Sequence, residues 1–301
     1  MQYAIHTLVL VALVLAGCAA PATTPTPAPT SVVIAGATAT EPLLAALVEA
    51  FQHRYPTITV ILRPGNAYQG LQQVLDGEAL LGAVSAALPD DMWTAPVALE
   101  GIALVVHLGN PLENLTLAEV HDVFGGQTWR WSDLGLDVTE DEITVVSREW
   151  GSGTRMSFEA LAMAHGYATA TDCQPMLDVD RGREGEAAVR VVPCDGNPVT
   201  PTAVVAPSSM DVIKYVKGHP GAIGYVSQGY VGPEVKVVRV EELAPVPEDI
   251  VGGGYHLTQP FFLAALEEPT GAARLFVDFC LSPEGQEIVG AQYVPVRAAE
   301  Q

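Results

Sequence analysis

Short runs of apolar, often β-branched residues alternate along the chain with segments whose apolar residues recur every three or four positions. The first run covers residues 32–35, and the segment after it covers residues 41–53, with Leu44, Leu47 and Phe51 on one stripe. The runs predict strands because they are short and bounded by Gly, Thr or Pro, and the stripes predict helices. Strands that alternate with helices indicate an α/β fold with a parallel or mostly parallel sheet.

The same alternation continues toward the C-terminus. Strands are predicted at residues 58–62, 80–84, 101–106, 143–146, 221–226 and 235–240, and an extended aromatic segment at 257–264. Helices are predicted around residues 71–75, 117–124, 158–162, 208–217 and 270–280, and residues 169–202 are predicted to be rich in loops. This length of patterned chain makes one large domain or two medium domains.

The N-terminal residues follow a different pattern. Residues 6–15 form a short apolar run that ends in Leu15-Ala-Gly-Cys18, and residues 18–30 are rich in Pro and Thr. This ending resembles the lipobox of bacterial lipoproteins. We therefore expect residues 1–17 to be a signal peptide, Cys18 to carry palmitate or a related lipid on the extracytoplasmic side of the membrane, and the Pro/Thr segment to be a tether. An uncleaved anchor or a misassigned start codon is the alternative, since no Lys or Arg precedes the apolar run.

Acidic residues dominate the charge. The chain has 35 Asp and Glu against 14 Lys and Arg, which gives a formal net charge of −21. A nucleic acid is not expected as a partner, because a phosphate backbone needs a basic face. Any small anion must be bound by local dipoles and buried cations, since charges beyond a Debye length of about 8 Å are screened.

Residues 143–158 carry the clearest chemistry. A predicted strand is followed by Arg148, by a Gly-Ser-Gly-Thr turn at residues 151–154 and by a helix. The N–H groups at a helix start favour an anion, and the hydroxyls and the guanidinium add donors. The segment therefore predicts half of an oxyanion site. The alternatives are a turn chosen for steric reasons and an Arg148 that pairs with Glu149 at the surface.

Small polar groups follow three other predicted strands. Thr38 lies in a Gly-Ala-Thr turn after the first strand, Asn66 and Ala67 follow the second, and Ser85 follows the third. Ligands of α/β sheets bind beyond the carboxyl ends of the strands. These positions are therefore candidates for the other half of the site.

Motifs for bond-making chemistry are missing from the sequence. No Gly-Lys-Ser/Thr follows the Gly-rich turn, Gly-x-Ser-x-Gly is absent, and the seven His are scattered. We expect no catalytic residue, no metal and no cofactor. Cys173 and Cys194 bracket a polar segment and, in an exported protein, are expected to form a disulfide rather than a metal site. Cys280 is expected to be a buried thiol on an apolar helix.

Several motifs, in order and spacing, resemble the phosphate-binding lipoproteins of bacterial phosphate-specific ABC importers, a type II-like kind of periplasmic binding protein. The most specific is Arg148 followed by Ser-Gly-Thr at residues 152–154, and the Gly-Ala-Thr turn at Thr38 is another. Supporting motifs lie at residues 115–117, 123–126, 131–135, 221–226 and 281–286. The resemblance covers nearly all of the chain after the tether. It implies a two-lobed α/β clamshell joined by two crossing strands, with residues 31–107 and 231–301 in lobe one and residues 108–230 in lobe two.

The resemblance also implies a function without enzymatic activity, in which the protein captures inorganic phosphate and delivers it to the permease of an ABC importer. The implied ligand-binding residues are Thr38, Ala39, Asn66, Ala67, Ser85, Arg148, Ser152, Gly153 and Thr154. Two places depart from the family, because Asn66-Ala67 replaces a Gly-Ser pair and Ser85 replaces an Asp that accepts the proton of phosphate. A serine can accept or donate, so sulfate, molybdate or tungstate is an alternative ligand. A signalling or adhesive lipoprotein with a degenerate cleft is an alternative function.

Overall fold

The structure is a computed structural model and describes residues 30–36, 38–163, 176–181, 187–192 and 199–296. The strands are β1 (Thr30–Gly36), β2 (Ile58–Arg63), β3 (Leu81–Val84), β4 (Trp93–Val106), β5 (Asn114–Leu115), β6 (Thr144–Arg148), β7 (Met176–Asp180), β8 (Ala188–Val192), β9 (Val204–Ala206), β10 (Ala222–Ser227), β11 (Lys236–Val240), β12 (Thr258–Ala265) and β13 (Val294–Pro295). The α-helices are α1 (Glu41–Arg54), α2 (Ala67–Leu75), α3 (Leu117–Phe124), α4 (Gly153–Phe158), α5 (Ser209–Gly218), α6 (Pro247–Val251), α7 (Gly271–Cys280) and α8 (Pro283–Gly290). Among these helices, none combines the length and the apolar character needed to cross a bilayer.

One mixed sheet contains most of the strands, in the order β2-β1-β3-β12-β4-β10-β6-β9. The pairs β1–β2, β1–β3, β6–β10 and β6–β9 are parallel, as the alternation of strands and helices predicts. The centre is antiparallel, because β12 returns from the C-terminal region between β3 and β4, and β4 then pairs antiparallel with β10. The prediction of a mostly parallel sheet is therefore wrong at the centre, where a strand distant in sequence inserts.

Two main apolar cores lie along this sheet, and the 14-residue β4 contributes to both. Val97 packs in the core that α1 and α7 cover, and Leu104 packs in the core that holds Phe124 and Phe158. The second core also receives Leu257, from a segment that the sequence places in lobe one. The division into residues 31–107 plus 231–301 and residues 108–230 stays a prediction.

Local sequence places the loops at the strand ends. Asn66 caps α2, because its side-chain oxygen accepts from the Gln69 N–H at 2.9 Å while the Gln69 side chain accepts from the Asn66 N–H at 3.1 Å. Helix α2 lies directly against the end of β1, since a Cβ at Gly70 would come within 2.5 Å of the Ala35 carbonyl oxygen. Only glycine permits this approach, which brings the start of α2 beside the turn at Thr38.

The predicted loop-rich region holds more structure than its sequence indicates, because β7 and β8 pair as an antiparallel hairpin. Alternation in such short strands is weak evidence, so the pattern did not reveal them. Cys280 is buried and free, as expected, and burial raises the pKa of its thiol well above the usual range. The predicted disulfide between Cys173 and Cys194 and the predicted lipid at Cys18 lie outside the described residues.

Candidate functional site

A small cavity lies where the ends of β1, β3 and β6 meet the starts of α2 and α4. Its wall consists of Thr38, Ala39, Asn66, Ala67, Ser85, Arg148, Ser152, Gly153 and Thr154. These are the nine residues named from the sequence as ligand-binding, so the structure brings all of them together. Thr38, Ala39, Asn66, Ala67 and Ser85 form one side, the neutral wall, and the other four residues form the cationic wall. Their role as ligands stays a prediction.

Arg148 places a buried positive charge in the cavity wall, with only 1% of its surface exposed. Its Nη1 donates to the Ser209 hydroxyl at 3.0 Å, and its Nη2 reaches across to the Thr38 hydroxyl at 3.3 Å. Glu149 accepts from Nε and from Nη2, each at 3.3 Å. Arg148 therefore forms the ion pair with Glu149 that the alternative interpretation foresaw, but its own side chain is buried at the cavity, while that of Glu149 is 23% exposed.

Two buried groups hold the backbone of Arg148. The Arg148 N–H donates to the Tyr225 hydroxyl at 3.3 Å, and the Arg148 carbonyl accepts from Arg155 Nη1 at 2.8 Å. Burial raises the pKa of Tyr225 to about 12, so the phenol stays neutral. Arg155 is itself 7% exposed, pairs with Glu159 at 2.9 Å, and stacks on Trp150 at 4.1 Å. The end of β6 is therefore fixed before any ligand arrives.

The start of α4 supplies donors without partners. Ser152 caps the helix by accepting from the Arg155 N–H at 3.3 Å. The N–H groups of Gly153 and Thr154 occupy the first two helical positions, which have no acceptor within a helix. The Thr154 hydroxyl is fully buried and has no hydrogen-bond partner. Because a buried polar group without a partner costs about 1–3 kcal/mol, this hydroxyl marks the cavity as a place for a polar ligand.

In the neutral wall, Asn66 and Ala67 at the start of α2 stand where the family resemblance implies a Gly-Ser pair. The Asn66 side-chain oxygen is occupied by the cap of α2, and the Tyr68 N–H donates across the cleft to the Gly151 carbonyl at 3.2 Å. The Ala67 N–H, at the first position of α2, is therefore the donor that this loop offers to a ligand. On the same wall, the Tyr230 hydroxyl donates to the Thr38 carbonyl and holds that turn in place.

Close contacts join the two walls. Besides the bond from Tyr68 to Gly151, the Ser157 hydroxyl donates to the Ser85 carbonyl at 2.7 Å. Gly151 has a φ of +86°, and a Cβ there would lie 2.7 Å from the Cβ of Tyr68. A larger residue at this position would strain the backbone and push the walls apart.

The sequence and the fold place this site in a known superfamily. A model described as the PBP superfamily domain matches residues 22–284. The chain belongs to the PBP superfamily. A phosphate-binding protein of Bacillus subtilis, PstS, is 26% identical over 88% of this chain and 81% of its own. A PstS of Pseudomonas aeruginosa is 23% identical over 85% of this chain and 80% of its own.

Solved structures of the PBP superfamily show the same fold. A Clostridium perfringens protein, classed as a phosphate ABC transporter substrate-binding protein and solved with bound phosphate, has a TM-score of 0.73 and 28% identity, over 89% of this chain and all of its own. A phosphate transport receptor from Vibrio cholerae has a TM-score of 0.64 and 25% identity, over 87% of this chain and 99% of its own. The resemblance and the two-lobed fold expected from the sequence are confirmed.

One member of the site was missed by sequence reasoning. Glu100, in the middle of β4, is fully buried and accepts from the Ser85 hydroxyl at 3.3 Å, from Gln259 Nε2 at 2.8 Å and from the Ser227 hydroxyl. Burial raises the pKa of Glu100 to about 7, while the three donors oppose the rise. The sequence did contain a signal for Glu100, because it is a single acidic residue within an apolar strand. An ionisable side chain is rarely buried without a partner.

Proposed function

We propose that this protein captures inorganic phosphate outside the cytoplasm and delivers it to the permease of an ABC importer. The observation that carries the proposal is the small cavity lined by the nine residues, with a buried guanidinium and an unpartnered buried hydroxyl in its wall. The names of the relatives support the choice of ligand, since the Bacillus subtilis protein is a phosphate-binding protein and the Clostridium perfringens structure contains phosphate.

The geometry supports this function because it offers many donors and one buried cation to a tetrahedral anion. Glu149 occupies the fork formed by Nε and Nη2 of Arg148, so the guanidinium offers the anion its remaining Nη donor and its buried charge. The Thr38 and Thr154 hydroxyls, with the N–H groups of Ala39, Ala67, Gly153 and Thr154, can bind the remaining oxygens. Anion binding then stays local despite the net charge of −21.

We also propose that the protein makes and breaks no covalent bond in its ligand and only transfers it. This agrees with membership of the PBP superfamily. Turnover of a simple phosphate ester by the purified protein, abolished by Ser152→Ala or Thr154→Val, would contradict this part of the proposal.

The N-terminal part of the proposal concerns the attachment to the membrane. We propose that a signal peptide of residues 1–17 is removed, that Cys18 receives lipid, and that residues 18–30 act as the tether of an exported protein. A disulfide between Cys173 and Cys194 is proposed for the same oxidising environment. Mass spectrometry of protein taken from membranes would detect the lipid, and non-reducing peptide mapping would detect the disulfide.

A melting-temperature screen of the purified protein against phosphate, sulfate, molybdate and tungstate at two pH values tests the ligand. Phosphate at 100 times its Kd should stabilise the protein by about 2.7 kcal/mol, which raises Tm by about 5–10 °C for a chain of this size. A shift with another oxyanion and none with phosphate would keep the class of protein and change the ligand. No shift with any oxyanion would favour a signalling or adhesive lipoprotein with a degenerate cleft.

A further inference from the structure

Ser85 is the position where the sequence leaves the choice of anion open, because its hydroxyl could donate or accept. In the structure a second residue, Glu100, also bears on the choice of anion. Glu100 lies behind the neutral wall with none of its surface exposed, and one of its carboxylate oxygens accepts the hydrogen of the Ser85 hydroxyl at 3.3 Å. A hydroxyl has one hydrogen and two lone pairs. When its hydrogen is directed to Glu100, Ser85 can offer the cavity only an acceptor.

The rest of Ser85 is also committed. Its carbonyl accepts from the Ser157 hydroxyl at 2.7 Å, and Gly153 packs so closely that a Cβ there would lie 3.1 Å from the Ser85 N and C atoms. Ser85 is 1% exposed. The backbone is therefore held in place, which fixes the position of Oγ, and the direction of its hydrogen is decided by its acceptor, Glu100.

Glu100 is held in turn by donors from two further strands. Gln259 of β12 donates to the same oxygen as Ser85 at 2.8 Å, and Ser227 at the end of β10 donates to the other oxygen. Because the pKa of Glu100 is about 7, the carboxyl is ionised above that pH and then accepts from all three partners. In this arrangement the Ser85 hydrogen has a fixed acceptor.

We propose that Glu100 acts through Ser85 as the specificity-determining pair of the cavity, admitting an oxyanion that carries a proton and rejecting one that does not. The inference rests on the proposed function. The ligand hydroxyl donates to Ser85 Oγ, and Ser85 donates to Glu100. Phosphate at neutral pH keeps at least one proton and satisfies this chain of hydrogen bonds. Sulfate has none, so its oxygen would face the lone pairs of Ser85 with a carboxylate behind them.

The charges around Glu100 fit this role. The titratable groups that face it are Tyr230, beyond the end of β10, and Tyr293, before β13, and burial raises the pKa of both phenols so that they stay neutral. Within the described part of the chain, Glu100 forms no ion pair with Lys or Arg. Arg148, across the cavity, is the cation whose field reaches Tyr230. An oxygen without a proton would therefore lie near an uncompensated carboxylate, whereas the hydroxyl of phosphate would place its proton between them.

The test compares the affinities of the purified protein for phosphate and for sulfate by calorimetry, in the wild type and in three variants. In Ser85→Ala the acceptor is lost, and in Glu100→Gln the side-chain amide can donate to Ser85 and free its hydrogen for the ligand. Each change should lower the ratio of phosphate affinity to sulfate affinity about 10- to 100-fold, the value of one unmatched buried polar group. Ser132→Ala is the matched control, because it removes a serine hydroxyl that donates to a carboxylate, Asp141 at 2.9 Å, at an exposed place outside the cavity, so its ratio should stay within about threefold of the wild type.

A pH series separates this role from a merely structural one. Burial raises the pKa of Glu100 to about 7, so at lower pH the carboxyl gains its own proton and no longer fixes the Ser85 hydrogen. The wild-type ratio should therefore rise between pH 5.5 and pH 8.5 by about 10-fold, while the ratio in Glu100→Gln should stay flat.

Each outcome has a clear meaning. An unchanged ratio in Ser85→Ala and Glu100→Gln, or a wild type that binds sulfate as tightly as phosphate, overturns the inference and leaves phosphate capture standing. A wild type that binds no oxyanion overturns the proposed function and the inference with it. If Glu100→Gln does not fold, as judged by circular dichroism, Ser85→Ala and the wild-type pH series decide alone.

Discussion

The two walls of the cavity are built in opposite ways. The four residues of the cationic wall lie within one stretch of seven, Arg148 to Thr154, and Arg148 is held in position by the ion pair with Glu149 and by the bond from Arg155 to its carbonyl. The neutral wall comes from three separate segments after β1, β2 and β3, and has a buried carboxyl, Glu100, behind it. A fixed cation attracts every oxyanion, so the cationic wall supplies affinity. The neutral wall can supply selectivity, because Ser85 offers an acceptor that only a protonated oxyanion can match.

The largest expected effect follows removal of the charge from the cationic wall. Arg148→Ala should weaken phosphate binding by about 4 kcal/mol, or about 1,000-fold, because a buried charged partner is lost. It should weaken sulfate equally, since the charge does not distinguish the two. Arg274→Ala, which removes an exposed cation on α7, is the control and should bind normally. Calorimetry on both variants measures this, and a selective loss of one anion would break the division between the walls.

The buried carboxyl behind the neutral wall should appear in the pH dependence of stability. Its pKa rises from 4.5 to about 7 on folding, so between these pH values the folded state binds the proton and the unfolded state releases it. The free energy of unfolding should therefore fall by about 3 kcal/mol as pH rises from about 4 to about 8, relative to Glu100→Gln.

Urea titrations at several pH values would measure this dependence, and Glu113→Gln provides the opposite control. The hydrogen bond from Lys236 lowers the pKa of Glu113, so this carboxyl adds stability as pH rises and loses it as pH falls. If the free energy of unfolding depends on pH in the same way in the wild type and in Glu100→Gln, folding does not raise the pKa of Glu100.

The contact between the walls is tested by Gly151→Ala. The new Cβ would meet Tyr68 at 2.7 Å, so the walls should not reach their close approach, and phosphate binding should weaken by about 1–3 kcal/mol. Gly135→Ala is a matched control, because Gly135 also has a positive φ, +73°, but has no atom within 4 Å of its added Cβ. Equal binding by both variants would show that the site does not depend on this approach.

The smallest effect is expected from the unpartnered hydroxyl of the cationic wall. Thr154→Val keeps the shape and removes the buried hydroxyl, so the free protein should keep or gain stability while phosphate binding weakens by about 1 kcal/mol. Thr258→Val is the contrasting control, because the Thr258 hydroxyl donates to the Tyr255 carbonyl at 2.7 Å and its loss should lower stability without affecting binding. Thermal melts and calorimetry would measure both, and a destabilised Thr154→Val would show that its hydroxyl already has a partner.

The difference between the walls also explains what the sequence could predict. The cationic wall is contiguous, so Arg148, Ser152 and Thr154 could be recognised from their spacing. The residues of the neutral wall could be named because each follows a predicted strand, and the resemblance brought them together. Glu100 could not be placed, because its contact with Ser85 depends on β12 and β10 arriving beside β4 from distant parts of the chain. The same insertion of β12 made the centre of the sheet antiparallel.

The surroundings of Arg155 also lie beyond what local sequence can show. Arg155 forms a salt bridge with Glu159, yet it is buried, with Arg148 and Trp150 as further partners. Spacing along a helix gives the face on which a residue lies, and burial depends on what packs against that face.

The bond from the Tyr68 N–H to the Gly151 carbonyl joins main-chain atoms of the two walls. Substitutions that keep the backbone in place leave both partners present, and neither atom belongs to the charged or hydroxyl groups that distinguish one anion from another. We therefore expect this bond to affect how long an anion stays bound. We expect the walls to separate before an enclosed anion leaves, so this bond should slow the release of every anion by a similar factor without altering which anion is chosen.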